Sequence, residues 1–143
     1  MKVLFLDIDG VMNHEALFGK GIYAIDPIGE QHLILLKQIV DETGVEIVLS
    51  SSWRCCENAR DKVSKSLSNM GMKFISTTPV FRASLERSLE IQDWLDNHPE
   101  VVEFAILDDD ADANIEGHFF QTTFKEGLTK EIANSVIKYL GTK

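Results

Sequence analysis

The sequence has few cysteines and no long apolar segment. Its two cysteines, Cys55 and Cys56, are neighbours in the chain and poorly placed to close a loop, which is typical of reduced thiols in a cytosolic protein. No stretch approaches the ~20 apolar residues that a membrane-spanning helix needs. The first apolar run ends at Asp7 and is too short for a secretory signal. We therefore predict a cytoplasmic protein that does not bind a membrane.

Positive charge and clusters of zinc-binding side chains are also scarce. The formal net charge of −9 repels free nucleic acid unless a local basic patch compensates for it. The four histidines, His14, His32, His98 and His118, have no metal-binding spacing, which argues against zinc. A length of 143 residues with 44% apolar residues predicts one compact domain over residues 1–143, without repeats or internal linkers.

Short apolar runs alternate with helical patterns along the chain. The expected strands lie at residues 3–6, 45–49, 73–76, 101–107 and 118–122. Helices are expected after an Asp26-Pro27 cap, from Glu57, near Leu85 and after a Thr129 cap. This alternation predicts an α/β fold with a Rossmann-like, doubly wound parallel sheet.

Polar side chains follow three of the predicted strands. Asp7 and Asp9 come after the first, Ser50 after the second, and Asp108 with Asp109 after the fourth. A single aspartate could be a helix cap or a solvated turn, but these strand ends meet at one edge of a parallel sheet, where ligands bind. Clustered carboxylates repel each other unless a cation or a shared proton neutralises them, and a hard divalent metal is the economical explanation. Because Mg²⁺ prefers oxygen ligands, we predict a magnesium site at this edge.

The segment from Asp7 to Val11, Asp-Ile-Asp-Gly-Val, resembles the first motif of the haloacid dehalogenase (HAD) superfamily of phosphatases. Three further motifs follow in the order of that superfamily. By this resemblance Asp7 is the nucleophile that forms an aspartyl-phosphate, and Asp9 is the general acid and base. The resemblance also implies that Mg²⁺ lies between the Asp7 carboxylate, the Asp9 backbone carbonyl and Asp109, with support from Asp108.

The second and third motifs each leave an alternative. Ser50 best fits the hydroxyl that binds a phosphoryl oxygen, and Ser51 is the alternative if the strand ends one residue later. Arg87 is the expected basic residue because it lies at the start of a helix, and Arg82 is its rival. A serine-rich cap and a solvated arginine are the structural alternatives. Asp112 is expected to add a contact to the site.

A narrower resemblance involves residues 5–13 (FLDIDGVMN), 46–54 (EIVLSSSWR), 91–95 (IQDWL) and 106–110 (ILDDD). Together they resemble the small phosphatase-like domain of Swiss Army Knife RNA repair proteins, which implies a nucleotide or RNA end as substrate. Trp53 and Arg54 belong to this signature and are candidates for substrate binding, although core packing explains the tryptophan equally well.

The chain departs from many HAD phosphatases in having no room for a substantial cap domain. Residues 11–45 suffice only for a flap, at about residues 12–25, and one helix. The crevice should therefore be open, which suits a macromolecular phosphoryl end or a small substrate enclosed by a partner. The sequence supports neither a protein partner nor an oligomer and leaves both open.

The motifs predict an enzyme, a magnesium-dependent phosphoric monoester hydrolase acting on a small phosphorylated molecule or a nucleic-acid end. A phosphotransferase with the same nucleophile is one alternative, and a catalytically silent HAD-fold binding module is another. A response-regulator receiver is disfavoured by the order of the motifs along the chain. In a receiver the acidic pair should follow the first strand and the phosphorylated aspartate a middle one, whereas here Asp-x-Asp-Gly follows the first strand and a second acidic pair comes late.

Overall fold

The computed structural model describes residues 1–19, 27–81 and 86–143. Within these residues, strands and helices alternate, except that only a short 3-10 turn separates the fourth strand from the fifth. The elements are β1 (Lys2–Leu6), α1 (Glu30–Thr43), β2 (Glu46–Leu49), α2 (Glu57–Ser68), β3 (Phe74–Thr77), α3 (Arg87–Asp96), β4 (Glu103–Asp108), β5 (Phe119–Gln121) and α4 (Lys130–Leu140).

The strands form one parallel sheet in the order β3-β2-β1-β4-β5. The chain winds outward from β1 to β3 on one side and continues through β4 and β5 on the other. This arrangement confirms the predicted doubly wound α/β fold. The order reverses between β1 and β4, so the ligand crevice of such a sheet is expected at the carboxyl ends of these two strands.

The central strand β1 is buried on both faces. Leu4 and Leu6 pack in an apolar cluster with residues of α1, α2 and α4, whereas Val3 and Phe5 pack on the opposite face with residues of α3. Helices on both faces of a parallel sheet favour continuous apolar strands, which explains why residues 3–6 show no polar alternation. The core thus fixes the position at which Asp7 leaves the sheet.

The predicted start of α1 was wrong, although its end at Thr43 was predicted well. The helix begins at Glu30 with Gly29 as its N-cap, and Asp26 lies outside the described residues. The Pro27 carbonyl accepts a hydrogen bond from Asn13 Nδ2 at 3.0 Å, and Gly29 N donates to the Met12 carbonyl at 2.8 Å. These bonds tie residues 27–29 to the loop after β1 and delay the helix.

The α4 cap was predicted correctly, since Thr129 Oγ1 accepts from Ile132 N at 3.3 Å. No cap domain is present in the part of the chain that the structure describes, and part of the predicted flap, residues 20–26, lies outside that part. The described helices also include none that is long and apolar enough to cross a membrane.

Candidate active site

Three aspartates meet at the carboxyl ends of β1 and β4. Carboxylate oxygens of Asp7, Asp108 and Asp109 all lie within 4.8 Å of one another. Backbone hydrogen bonds hold this geometry, because Asp7 N donates to the Leu107 carbonyl at 3.0 Å and extends the pairing of the two strands. Asp7 and Asp108 are buried and Asp109 is partly exposed. The predicted convergence of strand ends is therefore present.

Burial strongly disfavours charge on two of these carboxyls. The pKa of Asp7 is raised well above its usual value, by burial and then by the negative charge of Asp108. Burial also raises the pKa of Asp108 to about 6. A hydrogen bond between the two carboxyls accompanies these shifts, so the pair holds a proton more readily than isolated aspartates do.

Arg87 supplies positive charge to this pair. Its Nη1 lies 3.0 Å from Asp7 Oδ1 and 3.0 Å from Asp108 Oδ2. The guanidinium reaches both carboxyls from the first residue of α3. The expected contact of Asp112 with the site stays a prediction. Arg82, the alternative basic residue, lies outside the described residues.

The donor set fits a hard divalent cation such as Mg²⁺. It consists of oxygen atoms, and one guanidinium cannot neutralise three ionised carboxylates. Gly10 makes the close approach possible, because its φ of +78° disfavours other residues and a Cβ there would overlap the Asp109 carboxylate. The backbone after β1 is therefore built to lie directly against Asp109.

The Asp9 side chain is held apart from the three-aspartate cluster. Its Oδ1 accepts from Asn13 Nδ2 at 3.0 Å, while Asn13 Oδ1 accepts from Gly10 N at 2.9 Å. Asn13 thus closes the loop after β1 and orients the Asp9 carboxylate. Its role was missed from the sequence, although its place three residues after Gly10 could have suggested a side chain that closes the loop.

Ser50 presents a buried hydroxyl without a partner among the described residues. Its side chain is 1% exposed, and Ser50 N donates to the Leu6 carbonyl at 2.8 Å, beside Asp7. Leaving a buried hydroxyl unpaired costs about 1–3 kcal/mol, which fits a group reserved for a ligand oxygen. Ser51 is occupied differently, because its Oγ accepts from Trp53 N at 3.2 Å. Thr78 Oγ1 is a second unpaired buried hydroxyl, which sequence reasoning missed.

Arg54 is engaged within the protein. Its guanidinium donates to the carbonyls of Ser51, Thr78 and Pro79 and to Glu90 Oε1, at 2.6–3.1 Å. It therefore joins the ends of β2 and β3 to α3, which leaves it poorly available for substrate. Trp53 packs in the core.

The remaining candidates lie at the surface. Cys55 and Cys56 are exposed free thiols. Asp110 is exposed, and its Oδ1 accepts from Asp112 N at 3.0 Å.

A search of curated proteins found no match to the chain. The family model described as "HAD domain in Swiss Army Knife RNA repair proteins" matches residues 3–133. The matched segment includes the three clustered aspartates, Ser50 and Arg87. Membership indicates phosphatase-type HAD chemistry, and HAD proteins typically use a metal. The chain belongs to the family of HAD domains found in Swiss Army Knife RNA repair proteins.

Proposed function

We propose that the protein is a magnesium-dependent phosphatase that hydrolyses a phosphomonoester through an aspartyl-phosphate on Asp7. The observation that supports this most directly is the group of Asp7, Asp108 and Asp109 oxygens within 4.8 Å of one another, with Arg87 bridging the first two. Such a group concentrates a nucleophile, ligands for a hard cation and a positive charge at one point.

In the first step an Asp7 carboxylate oxygen attacks phosphorus, and the bond from phosphorus to the leaving oxygen breaks. Asp9 donates its proton to that oxygen, held in place by the hydrogen bond from Asn13. In the second step Asp9 takes a proton from water, the water oxygen attacks phosphorus, and the bond between phosphorus and Asp7 breaks. The products are the alcohol and inorganic phosphate, and Asp7 is regenerated.

Ser50 and Arg87 act on the phosphoryl oxygens. The unpaired Ser50 hydroxyl donates to one of them, and the Arg87 guanidinium offsets the charge of the transferring group. Bound Mg²⁺, held by Asp7, the Asp9 carbonyl and Asp109 with support from Asp108, would neutralise phosphoryl charge.

The substrate that we propose is a nucleotide or an RNA end. The described residues include no cap domain, which suits a macromolecular phosphoryl end, and the family name refers to RNA repair. Two exposed free thiols support a reducing, cytoplasmic location for this reaction.

The test compares phosphate release from 3′- and 5′-phosphorylated RNA, nucleotides and phosphopeptides, with and without Mg²⁺. Asp7→Asn should abolish turnover and remain folded. Asp41→Asn, an exposed carboxylate paired with Lys37 on α1, is the matched control and should retain full activity. Near-normal magnesium-dependent activity of Asp7→Asn would contradict the assignment of the nucleophile. Transfer of phosphate to alcohols instead of water would identify a phosphotransferase.

A further inference from the structure

Two aromatic rings in contact, one exposed and one partly exposed, lie at the same edge of the sheet as the carboxylates. Phe18 follows the 3-10 turn Glu15–Leu17, and Phe124 follows β5. Their ring centroids are 5.3 Å apart, and the ring planes are inclined at 48°. Phe124 is 44% exposed. Neither ring is part of the two apolar clusters that form the described core. Phe124, in contact with the partly exposed Phe18, therefore presents aromatic surface to solvent.

Backbone contacts fix this pair to the active-site loops. Thr122 N donates to the Asp108 carbonyl at 3.0 Å, and Thr122 Oγ1 donates to the Gly10 carbonyl. Glu15 N donates to the Phe124 carbonyl at 2.8 Å. Two residues span at most ~7 Å, so Phe124 lies close to the loops that hold Asp7 and Asp109.

A cavity with two lysines and one glutamate in an otherwise uncharged lining begins at the next residue, Lys125. It has a volume of about 420 Å³, and its lining includes His14, Lys125 and Lys130, with Glu126 as the acidic member. Both lysines are exposed. In a chain of net charge −9, this surface is a local exception that lowers the repulsion of an anionic ligand.

His14 in this wall has a fixed orientation. The buried His32 must donate from Nδ1 to the Leu128 carbonyl, 2.9 Å away, because a carbonyl only accepts. Its Nε2 then accepts from His14 Nδ1 at 2.8 Å. These two hydrogen bonds therefore hold the His14 ring in place in the wall of the cavity.

We propose that Phe18 and Phe124 stack against the base of the nucleotide whose phosphate enters the carboxylate cluster, and that the cavity beginning at Lys125 binds the next phosphodiester. This inference rests on the proposed function and narrows its substrate to a single-stranded nucleic-acid end of two or more nucleotides. Aromatic stacking contributes about 1–3 kcal/mol per base, and basic grooves follow the backbone in such sites. An apolar protein partner is disfavoured, because it would offer no negative charge to the adjoining Lys125 and Lys130.

The stacking surface is tested by binding to Asp7→Asn, which prevents turnover. The ligands are a nucleoside monophosphate and ribose 5-phosphate, which has no base. Adding Phe124→Ala should weaken nucleoside monophosphate binding about 5- to 150-fold, as loss of one stacked base implies. Ribose 5-phosphate binding should not change, and Phe124→Trp should restore base-dependent affinity. An equal loss for both ligands, or no loss for either, would overturn the inference.

The cavity is tested with a terminally phosphorylated pentaribonucleotide. The double substitution Lys125→Gln, Lys130→Gln should remove most of the affinity advantage of the pentaribonucleotide over the monophosphate. It should also lower the slope of log K against log salt concentration by about 0.7 per lost phosphate contact. Lys138→Gln is the matched control, because it neutralises a lysine in the last turn of the same helix, ~12 Å from Lys130. If the double variant retains both the advantage and the slope, the cavity does not bind the backbone.

Hydrolysis assays on the same ligands separate this inference from the proposed function. One outcome is that the wild type hydrolyses both the nucleoside monophosphate and ribose 5-phosphate. If Phe124→Ala then leaves the ratio of the two hydrolysis rates unchanged, the stacking surface is refuted but the phosphatase is not. Base-selective binding without any hydrolysis refutes the phosphatase and supports the stacking surface. If Asp7→Asn binds no nucleotide, the inference is wrong.

Discussion

The backbone conformation of Gly10 determines how closely the loop after β1 approaches the carboxylate cluster. The φ of Gly10 is +78°, and a Cβ there would overlap the Asp109 carboxylate. Gly10→Ala should lower the free energy of unfolding by about 1–3 kcal/mol. It should also lower magnesium-dependent activity at least about tenfold, since a misplacement near 1 Å can cost more than that. Urea unfolding and phosphate release measure the two effects.

Gly117→Ala is the control for Gly10→Ala. Gly117 has a φ of +87°, but nothing lies within 4 Å of its would-be Cβ, so the substitution adds backbone strain without overlap. It should destabilise the protein and leave activity unchanged. Equal activity losses in the two variants would mean that the contact with Asp109 is irrelevant.

Ser50 and Ser51 should respond in opposite ways to replacement by alanine. Ser50→Ala removes a buried hydroxyl without a described partner, so stability should hold while activity falls about a hundredfold. Ser51→Ala removes the acceptor for Trp53 N and should lower stability by about 1 kcal/mol. Thermal unfolding and phosphate release distinguish them. If Ser50→Ala loses stability but keeps full activity, Ser50 is not the hydroxyl of the second motif.

The positions of site residues were predictable where strand geometry alone determines them. Asp7, Asp108 and Asp109 follow buried strands, and parallel strands must bring their ends together. Arg54 could not be assigned in this way, because its partners Thr78 and Glu90 lie far along the chain and meet it only after α3 has packed.

The ion pair of Arg54 and Glu90 fixes the position of α3. Glu90 Oε1 accepts from Arg54 at 2.9 Å and Oε2 accepts from Phe81 N at 2.8 Å, one turn after Arg87. Glu90→Gln loses one of these acceptors and should destabilise the fold by about 2 kcal/mol. It should lower kcat more than it raises KM, because Arg87 is displaced from the reacting group.

The matched control is the Lys37–Asp41 pair on α1. Its side chains are 35% and 56% exposed, against 4% and 12% for Arg54 and Glu90. Asp41→Asn should change stability by about 0.3 kcal/mol and leave kcat unchanged. If Glu90→Gln behaves like this control, α3 does not depend on the buried pair.

Elements were predicted more reliably than their boundaries. Apolar runs of about five residues are long enough to identify buried strands, and Thr129 marks α4 by a local hydrogen bond. The start of α1 depends on the bond from Gly29 N to the Met12 carbonyl, which joins residues brought together only by the fold. The local sequence at Asp26-Pro27, which is typical of a helix cap, does not reveal that bond.

At the scale of the molecule, stability should depend on pH partly through His32. Burial lowers the pKa of His32 from its usual 6.5, so the folded state binds a proton less readily than the unfolded state. His32 therefore contributes stability above about pH 6.5 that is lost as pH falls toward its folded pKa. The raised pKa of Asp108, about 6, has the opposite sign and stabilises the fold as pH falls.

Comparison of the wild type with His32→Gln isolates the histidine, because Asp108 is common to both. In urea unfolding with a chelator present, the wild type should lose stability relative to His32→Gln between pH 7 and about pH 5. A stability difference that is the same at both pH values would show that His32 is not kept neutral by the fold.

Magnesium should stabilise the whole molecule through the carboxylate cluster. The chain has a net charge of −9, and Asp7, Asp108 and Asp109 concentrate part of it within 4.8 Å. A ligand that binds only the folded state stabilises it, by about 1.4 kcal/mol at ten times its Kd. For a chain of this size that corresponds to a Tm increase of about 4 °C.

The more stable of the two proteins, wild type and Asp109→Asn, should differ between metal-free solution and solution with Mg²⁺. Without metal the substitution removes like-charge repulsion beside two buried carboxyls, so the Tm of the variant should equal or exceed that of the wild type. With Mg²⁺ the wild type should gain and the variant should not, so that the wild type becomes the more stable protein. NaCl of equal ionic strength controls for general screening, which acts on both proteins alike. An equal Mg²⁺-dependent gain in both would show that the cation binds away from Asp109, and the three aspartates would then need another source of neutralisation.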